Sequence, residues 1–264
     1  MQKIRVNNIQ LAYEDQGDGP AVVLIHGYPF NRSMWAEQVV PLSIDYRIIT
    51  PDLRGHGDSE VSPATATMNQ MAQDVAALMD VLGIRHATIG GLSMGGYVAL
   101  AFYDLFPNRA DRLLLADTRA QADTDEGKTA RAEQAKKILA EGMAGIVDTM
   151  LPKLLSPATV SKNPGIVKRV REMMLQTNPE GAAAALRGMA EREDHTERLS
   201  RIKVPTLIIV GGQDPITPVA DSEKMHGKIA GSKLVIIENA SHVSNIEQPE
   251  QFNHAVKEFL DGYQ

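Results

Sequence analysis

The feature that most constrains this chain is a serine boxed by glycines, Gly91-Leu92-Ser93-Met94-Gly95. An apolar run from Ala87 to Ile89 leads into it. A helix-forming run from Tyr97 to Phe106, stopped by Pro107, leads out. A turn this tight between a strand and a helix forces its central residue into a strained backbone conformation. The positions two before and two after it then have no room for a Cβ, and Gly91 and Gly95 occupy those positions. Such a turn lifts the Ser93 hydroxyl clear of the sheet. It also sets that hydroxyl at a helix N-terminus, where the amide of Met94 faces any negative charge that develops. Taken alone, these residues are equally a glycine-rich turn without chemistry. An acid, a base and a second amide donor elsewhere in the chain must decide.

The segments around this turn alternate between strand and helix. Residues 3 to 15 alternate in polarity around Asn7-Asn8, which predicts an edge hairpin. Ala21 to Ile25 is an unbroken apolar run, as expected of a strand buried on both faces of a parallel sheet. It ends in His26-Gly27-Tyr28-Pro29-Phe30. A loop there lies at the carboxyl edge of the sheet, where open α/β sheets bind ligands, and the Tyr28 amide is a candidate second donor. His26 is read as a ring that hydrogen-bonds loop backbone, not as a proton carrier.

Tyr46 to Thr50 is the next strand, followed by Pro51-Asp-Leu-Arg-Gly-His-Gly-Asp-Ser59. Asp52, Arg54 and His56 are read as a network that fixes this loop. Gly55-x-Gly57 does not continue to a third glycine, since Glu60 stands there, so no dinucleotide site is expected. A short helix over 34–42 and another from Met68 to Leu82, capped by Gly83, follow helical spacing. Arg112 to Ala116 is a strand ending in Asp117. Thr206 to Val210 ends in Gly211-Gly212-Gln213-Asp214-Pro215. Leu234 to Glu238 ends in Asn239-Ala240-Ser241-His242, and a helix from Pro249 to about Leu260 closes the chain.

Strand signals vanish between residues 120 and 195. Apolar positions there follow helical spacing, with Gly142 and Gly145 as breaks. Asp123 with Glu126 reads as a capping pair, and Asn163-Pro164 and Asn178-Pro179 read as helix starts. The expected organisation is a core of residues 1–119 and 196–264, carrying a helical cap over 120–195. Met143, Met150, Met173, Met174 and Met189 in the cap are read chiefly as core filling, some of them facing a pliable apolar pocket.

Ser93, Asp214 and His242 thus fall just past three strands, all read as interior, on the edge where parallel strands end together. The chemistry needs each type. A serine hydroxyl is a weak nucleophile until an imidazole takes its proton, and a carboxylate must hold that imidazole in the right tautomer. Asp117 also ends a strand and is the rival acid. Composition narrows the alternatives. With 264 residues, 43% hydrophobic and 23% charged, the chain can bury one ordinary core. A net charge of −6 without a basic stripe argues against nucleic acid. The absence of cysteine removes disulfides and thiolate chemistry. No metal spacing occurs, so neither metal nor cofactor is expected. The polar start lacks a signal peptide, and no run reaches the roughly 18 residues of a membrane span, so a cytoplasmic location is expected.

The loops His26-Gly-Tyr-Pro29, Pro51 to Ser59, Gly91-Leu-Ser-Met-Gly95, Gly211-Gly-Gln-Asp-Pro215 and Ser241-His242 before Pro249-Glu250 together resemble the α/β-hydrolase superfamily. The similarity is strongest to bacterial carboxylesterases and 3-oxoadipate enol-lactonase-like enzymes. The resemblance implies a mostly parallel eight-stranded sheet flanked by helices with a helical cap insertion. It further implies a triad of Ser93, Asp214 and His242 with an oxyanion hole from the Tyr28 and Met94 amides. It implies a small ester or lactone as substrate, with no cofactor. Dehalogenase and epoxide hydrolase relatives carry aspartate at the position of Ser93, which disfavours those reactions. A small-molecule sensor with little turnover is the alternative of another class.

Overall fold

The computed structural model describes residues 1–62 and 65–262. Among these, the strands form one eight-stranded sheet: β1 Gln2–Val6, β2 Ile9–Gln16, β3 Ala21–Ile25, β4 Arg47–Pro51, β5 Ala87–Leu92, β6 Ala110–Ala116, β7 Thr206–Gly211 and β8 Lys233–Ile237, in the order β1-β2-β4-β3-β5-β6-β7-β8. Pairing is antiparallel between β1 and β2 and between β2 and β4, and parallel from β4 through β8. Asn7 and Asn8 both take positive φ, 45° and 65°. Two such residues make the turn whose twist matches a hairpin, and asparagine tolerates that conformation.

The unbroken apolar strands serve two cores at once. Val23 and Ile25 of β3 and Leu113 and Leu115 of β6 enter the core on one face, while Val22, Leu24, Leu114 and Ala116 enter the core on the other. Alternate side chains point to opposite faces, so a strand covered on both sides must be apolar throughout. Helices α1 Ala36–Leu42, α2 Met68–Val81 and α3 Met94–Leu105 fill the first crossovers. Buried residues of α2 and α3 join the first core, and those of α1 the second.

After β6 the chain leaves the sheet through α4 Asp125–Glu141, α5 Ala144–Leu154, α6 Pro157–Lys162, α7 Pro164–Leu175 and α8 Pro179–Ala190. It returns at β7, and α9 Val219–Lys228, α10 Ser244–Glu247 and α11 Pro249–Asp261 complete it. This excursion is fastened to the loops at the carboxyl edge. Thr177 Oγ1 donates to the Pro29 carbonyl at 2.7 Å, and the Ala66 amide donates to Ala184 O at 3.1 Å.

The structure departs from the sequence reading in three places. Thr124, not the Asp123–Glu126 pair, caps α4 by accepting the Gly127 N–H at 3.2 Å. Asp123 instead binds Arg131 and, at 2.8 Å, Arg192, closing the neck where the excursion leaves and returns. Burial pushes the Asp123 carboxyl up, but the two guanidiniums outweigh it and hold it below its ordinary value. Asn178 caps α8 with its side chain, whereas Asn163 makes no such bond before α7. Finally, β8 is an edge strand paired only with β7, and its Ile236 is 41% exposed. Its apolar run imitates an interior strand although only Ile237 of its five residues is buried.

Candidate active site

Ser93 stands between β5 and α3 with φ 55° and ψ −114°. A non-glycine residue in so sparse a region costs about 1–3 kcal/mol and persists only where its surroundings impose it. Here the flanking glycines permit the turn. A Cβ on Gly91 would lie 2.0 Å from the Gly95 carbonyl oxygen, and one on Gly95 would lie 2.1 Å from Ile25 O. The Ser93 N–H donates to Ala116 O at 2.9 Å, which ties the turn to β6.

Long-range topology brings His242 and Asp214 to this serine. His242 Nε2 lies 2.8 Å from Ser93 Oγ, and His242 Nδ1 lies 2.8 Å from Asp214 Oδ2. With a carboxylate on the Nδ1 side, that nitrogen carries the proton and Nε2 is left to accept from the serine hydroxyl. Ser93, Asp214 and His242 are 9%, 5% and 2% exposed, so this chain of hydrogen bonds is shielded from competing water. Asp214 Oδ1 accepts the N–H groups of Ile216 at 2.7 Å and Thr217 at 3.0 Å. Its Oδ2 also accepts the Thr217 hydroxyl at 2.5 Å. Burial pushes the Asp214 carboxyl up, but the charge of His242 and these donors outweigh burial and hold it below its ordinary value.

Asp117, the rival acid, turns elsewhere. Its Oδ1 accepts the Gly211 N–H at 2.8 Å, and its Oδ2 accepts the Ser244 hydroxyl at 2.6 Å and the Ser244 N–H at 3.3 Å. Full burial and the nearby Asp214 push its carboxyl well above the ordinary range. Of the two amides singled out in the sequence, that of Met94 follows Ser93 in the chain, and that of Tyr28 belongs to a loop that passes beside Ser93. Met94 opens α3, so its N–H has no acceptor within the helix. The loop carrying the Tyr28 N–H passes so close that a Cβ on Gly27 would lie 3.4 Å from Ser93 Cβ. The Tyr28 side chain is buried, with its ring edge-on to His56 at 6.2 Å.

A sequence profile of the alpha/beta hydrolase fold matches residues 20–249. The chain belongs to the α/β-hydrolase family. Among the relatives of this α/β-hydrolase, 3-oxoadipate enol-lactonase 2 of Acinetobacter baylyi is 36% identical over 92% of this chain and 89% of that protein. A thermophilic esterase from Thermogutta terrifontis, solved with malate bound, superposes with a TM-score of 0.97 at 41% identity, covering 99% of both chains. The enol-lactonase of Burkholderia xenovorans superposes with a TM-score of 0.93 at 33% identity, covering 98% of this chain and all of that one. Among the described residues no helix is long and apolar enough to cross a membrane, and no three His, Asp or Glu side chains are grouped to hold a metal ion.

Two supporting residues of the hydrolase escaped the sequence reading. Thr217 holds Asp214 from three residues away, and the Asp-Pro-x-Thr spacing is a side-chain-capped turn signal that could have disclosed it. Glu247 accepts the Ser241 N–H at 2.6 Å and the Ser156 N–H at 2.8 Å, joining the histidine loop to the start of α6. No local signal marks Glu247, because its partners are set by tertiary packing.

His26, Asp52, Arg54 and His56 of the carboxyl-edge loops are spent on structure. His26 Nδ1 donates to Gly27 O at 2.9 Å, and its Nε2 accepts the Leu53 N–H at 2.9 Å. His56 Nδ1 donates to Arg54 O at 3.1 Å. Arg54 pairs with Asp74 at 2.6 and 2.7 Å, and Asp52 accepts the N–H groups of Arg32 and Asp58. Burial, against a smaller opposing backbone hydrogen bond, lowers the His26 imidazole to about 4. Burial and the neighbouring His26 lower His56 to about 3.

Both rings therefore stay neutral in the fold where the unfolded chain protonates them, below about pH 6.5. In that window the unfolded chain binds more protons, so stability rises with pH and is lost on acidification. Asp117 works in the opposite sense, because the fold keeps its proton longer than the unfolded chain does. Urea titrations from about pH 5.5 down to 4.5 should thus show stability falling by about 1.4–2.7 kcal/mol per pH unit, the equivalent of one to two protons. A flat profile would contradict the neutral buried histidines.

Proposed function

We propose that this α/β-hydrolase is a serine carboxylesterase that cleaves small or medium carboxylic esters through an acyl-enzyme. The observation that carries the reading is the continuous line Ser93 Oγ, His242 Nε2, His242 Nδ1, Asp214 Oδ2, with 2.8 Å at each contact. In this mechanism Ser93 Oγ attacks the acyl carbon as its proton passes to His242 Nε2. Asp214 stabilises the imidazolium, and the Tyr28 and Met94 amides receive the negative charge that develops on the carbonyl oxygen. Collapse breaks the ester C–O bond, and the leaving alkoxide takes the proton from His242. Water, deprotonated by the same nitrogen, then attacks the acyl-enzyme. The acid departs and Ser93 regains its proton. The helices between β6 and β7 act as the cap that roofs the acyl pocket, held down at Thr177, Ala184 and Ser156.

Enol-lactone hydrolysis is the second reading, favoured by the enol-lactonases that match this chain over nearly its whole length. The chemistry is the same, except that the leaving group stays tethered to the acyl chain. Hydrolysis of p-nitrophenyl esters of graded acyl length tests the proposal. Saturable turnover falling off with chain length is expected, since a pocket closed by a cap admits only a limited acyl group. If these esters are inert and an enol-lactone is turned over, the second reading takes its place. Inertness toward both, with ligand binding that raises thermal stability, would favour a sensor.

A further inference from the structure

Strand β6 contributes no side chain to the line Ser93–His242–Asp214, yet the residues at its end reach all three loops. The Ala116 carbonyl accepts the Ser93 N–H at 2.9 Å, and the Thr118 hydroxyl donates to the Ser93 carbonyl at 2.8 Å. Between them, Asp117 accepts from Gly211 with one oxygen and from Ser244 with the other. Gly211 is the residue to which Asp214 N–H returns, at 3.1 Å. Ser244 lies just beyond His242 and opens α10. Asp117 itself is wholly buried with φ 43°, a conformation that a non-glycine residue keeps only when its surroundings hold it there.

We propose that Asp117 is a positioning residue: its two carboxyl oxygens set the separation of the acid loop and the histidine loop, so that His242 spans Ser93 and Asp214. The inference rests on the serine-hydrolase reading above. It uses Asp117 for geometry and not for proton transfer, since its hydrogen-bond partners are Gly211 and Ser244 and not the imidazole. The physical reason is the steep cost of misplacement. A shift of about 1 Å between reacting groups lowers turnover about 100-fold, because the near-attack geometry is lost. Asparagine at 117 keeps the volume, but its NH2 group cannot accept, so one of the two backbone N–H groups, Gly211 or Ser244, loses its partner and the fixed spacing of the loops is weakened.

The test compares wild type, Asp117→Asn, Ser244→Ala, the double variant and Ser93→Ala on a p-nitrophenyl ester. Titration with a fluorophosphonate counts the active sites in each preparation. For Asp117→Asn, kcat per titrated site should fall about 10- to 100-fold with KM within about threefold. Ser244→Ala should show a smaller fall of the same kind. The double variant should be little worse than Asp117→Asn alone, because the two changes break one interaction. A role limited to stability would lower the melting temperature and the number of titratable sites but leave kcat per site unchanged, and that result overturns the proposal. If Asp117→Asn does not fold, Ser244→Ala decides by the same criterion. Turnover retained by Ser93→Ala would instead remove the serine mechanism, and the inference with it. Serine-dependent turnover that is indifferent to Asp117 and Ser244 would remove the inference alone.

Discussion

Replacing Ser93 by alanine is expected to lower kcat for ester hydrolysis about 10⁶-fold while the protein stays folded. The size follows from what is deleted. Oγ is the atom that forms the bond to the acyl carbon, and it is the hydroxyl that His242 Nε2 meets, at 2.8 Å. The remaining catalysis would come from the amide donors and substrate binding, which leave about 10³–10⁴-fold over water when a triad member is lost. Folding should be spared because alanine keeps the Cβ, so the strained turn at φ 55° is neither relieved nor worsened. Mass spectrometry of acid-quenched reactions gives an independent reading. An acyl adduct on the peptide containing Ser93 is expected for the wild type and none for the variant. Turnover within tenfold of wild type would end the assignment.

Asp214→Asn is expected to lower kcat about 10⁴-fold, with Asp117→Asn well behind it. An asparagine amide presents either an oxygen or an NH2 group to His242 Nδ1. Once the NH2 faces that nitrogen, the ring proton moves to Nε2, which can then no longer accept the proton of Ser93. The loop will favour that orientation. Oδ1 of Asp214 must accept from two N–H groups, Ile216 and Thr217, so the single amide oxygen is claimed on that side. Kinetics of both variants on one ester, normalised to titrated sites, separate the two aspartates. If Asp117→Asn is the more damaging, the acid has been assigned to the wrong strand end.

Much of this arrangement is legible from local sterics. Gly91 and Gly95 announce the turn at Ser93 because a Cβ at either would overlap backbone within that turn or the strand beside it, whatever the rest of the fold. Asn7-Asn8 announces its hairpin for the same reason. The apolar run of β3 announces a strand covered on both faces, because a parallel sheet with helices on both sides favours an apolar residue at every position of such a strand. The chain order Ser93, Asp214, His242 then restricts which side chains can meet.

What lay beyond the sequence was every choice that depends on partners distant in the chain. Asp117 and Asp214 both end a strand, and only strand order and loop reach decide that Asp214 meets Nδ1 while Asp117 spans Gly211 and Ser244. Asp123 looked like a helix cap until Arg192, far along the chain, claimed it. The edge position of β8 follows from which strands pair, and apolarity cannot report that. Glycine placement, turn chemistry and apolar period are written within a few residues of where they act, so the sequence by itself determined them. Hydrogen-bond partners across loops are drawn from many chemically equal candidates. Only the packed tertiary structure, by bringing some within reach and removing the rest, could choose among them.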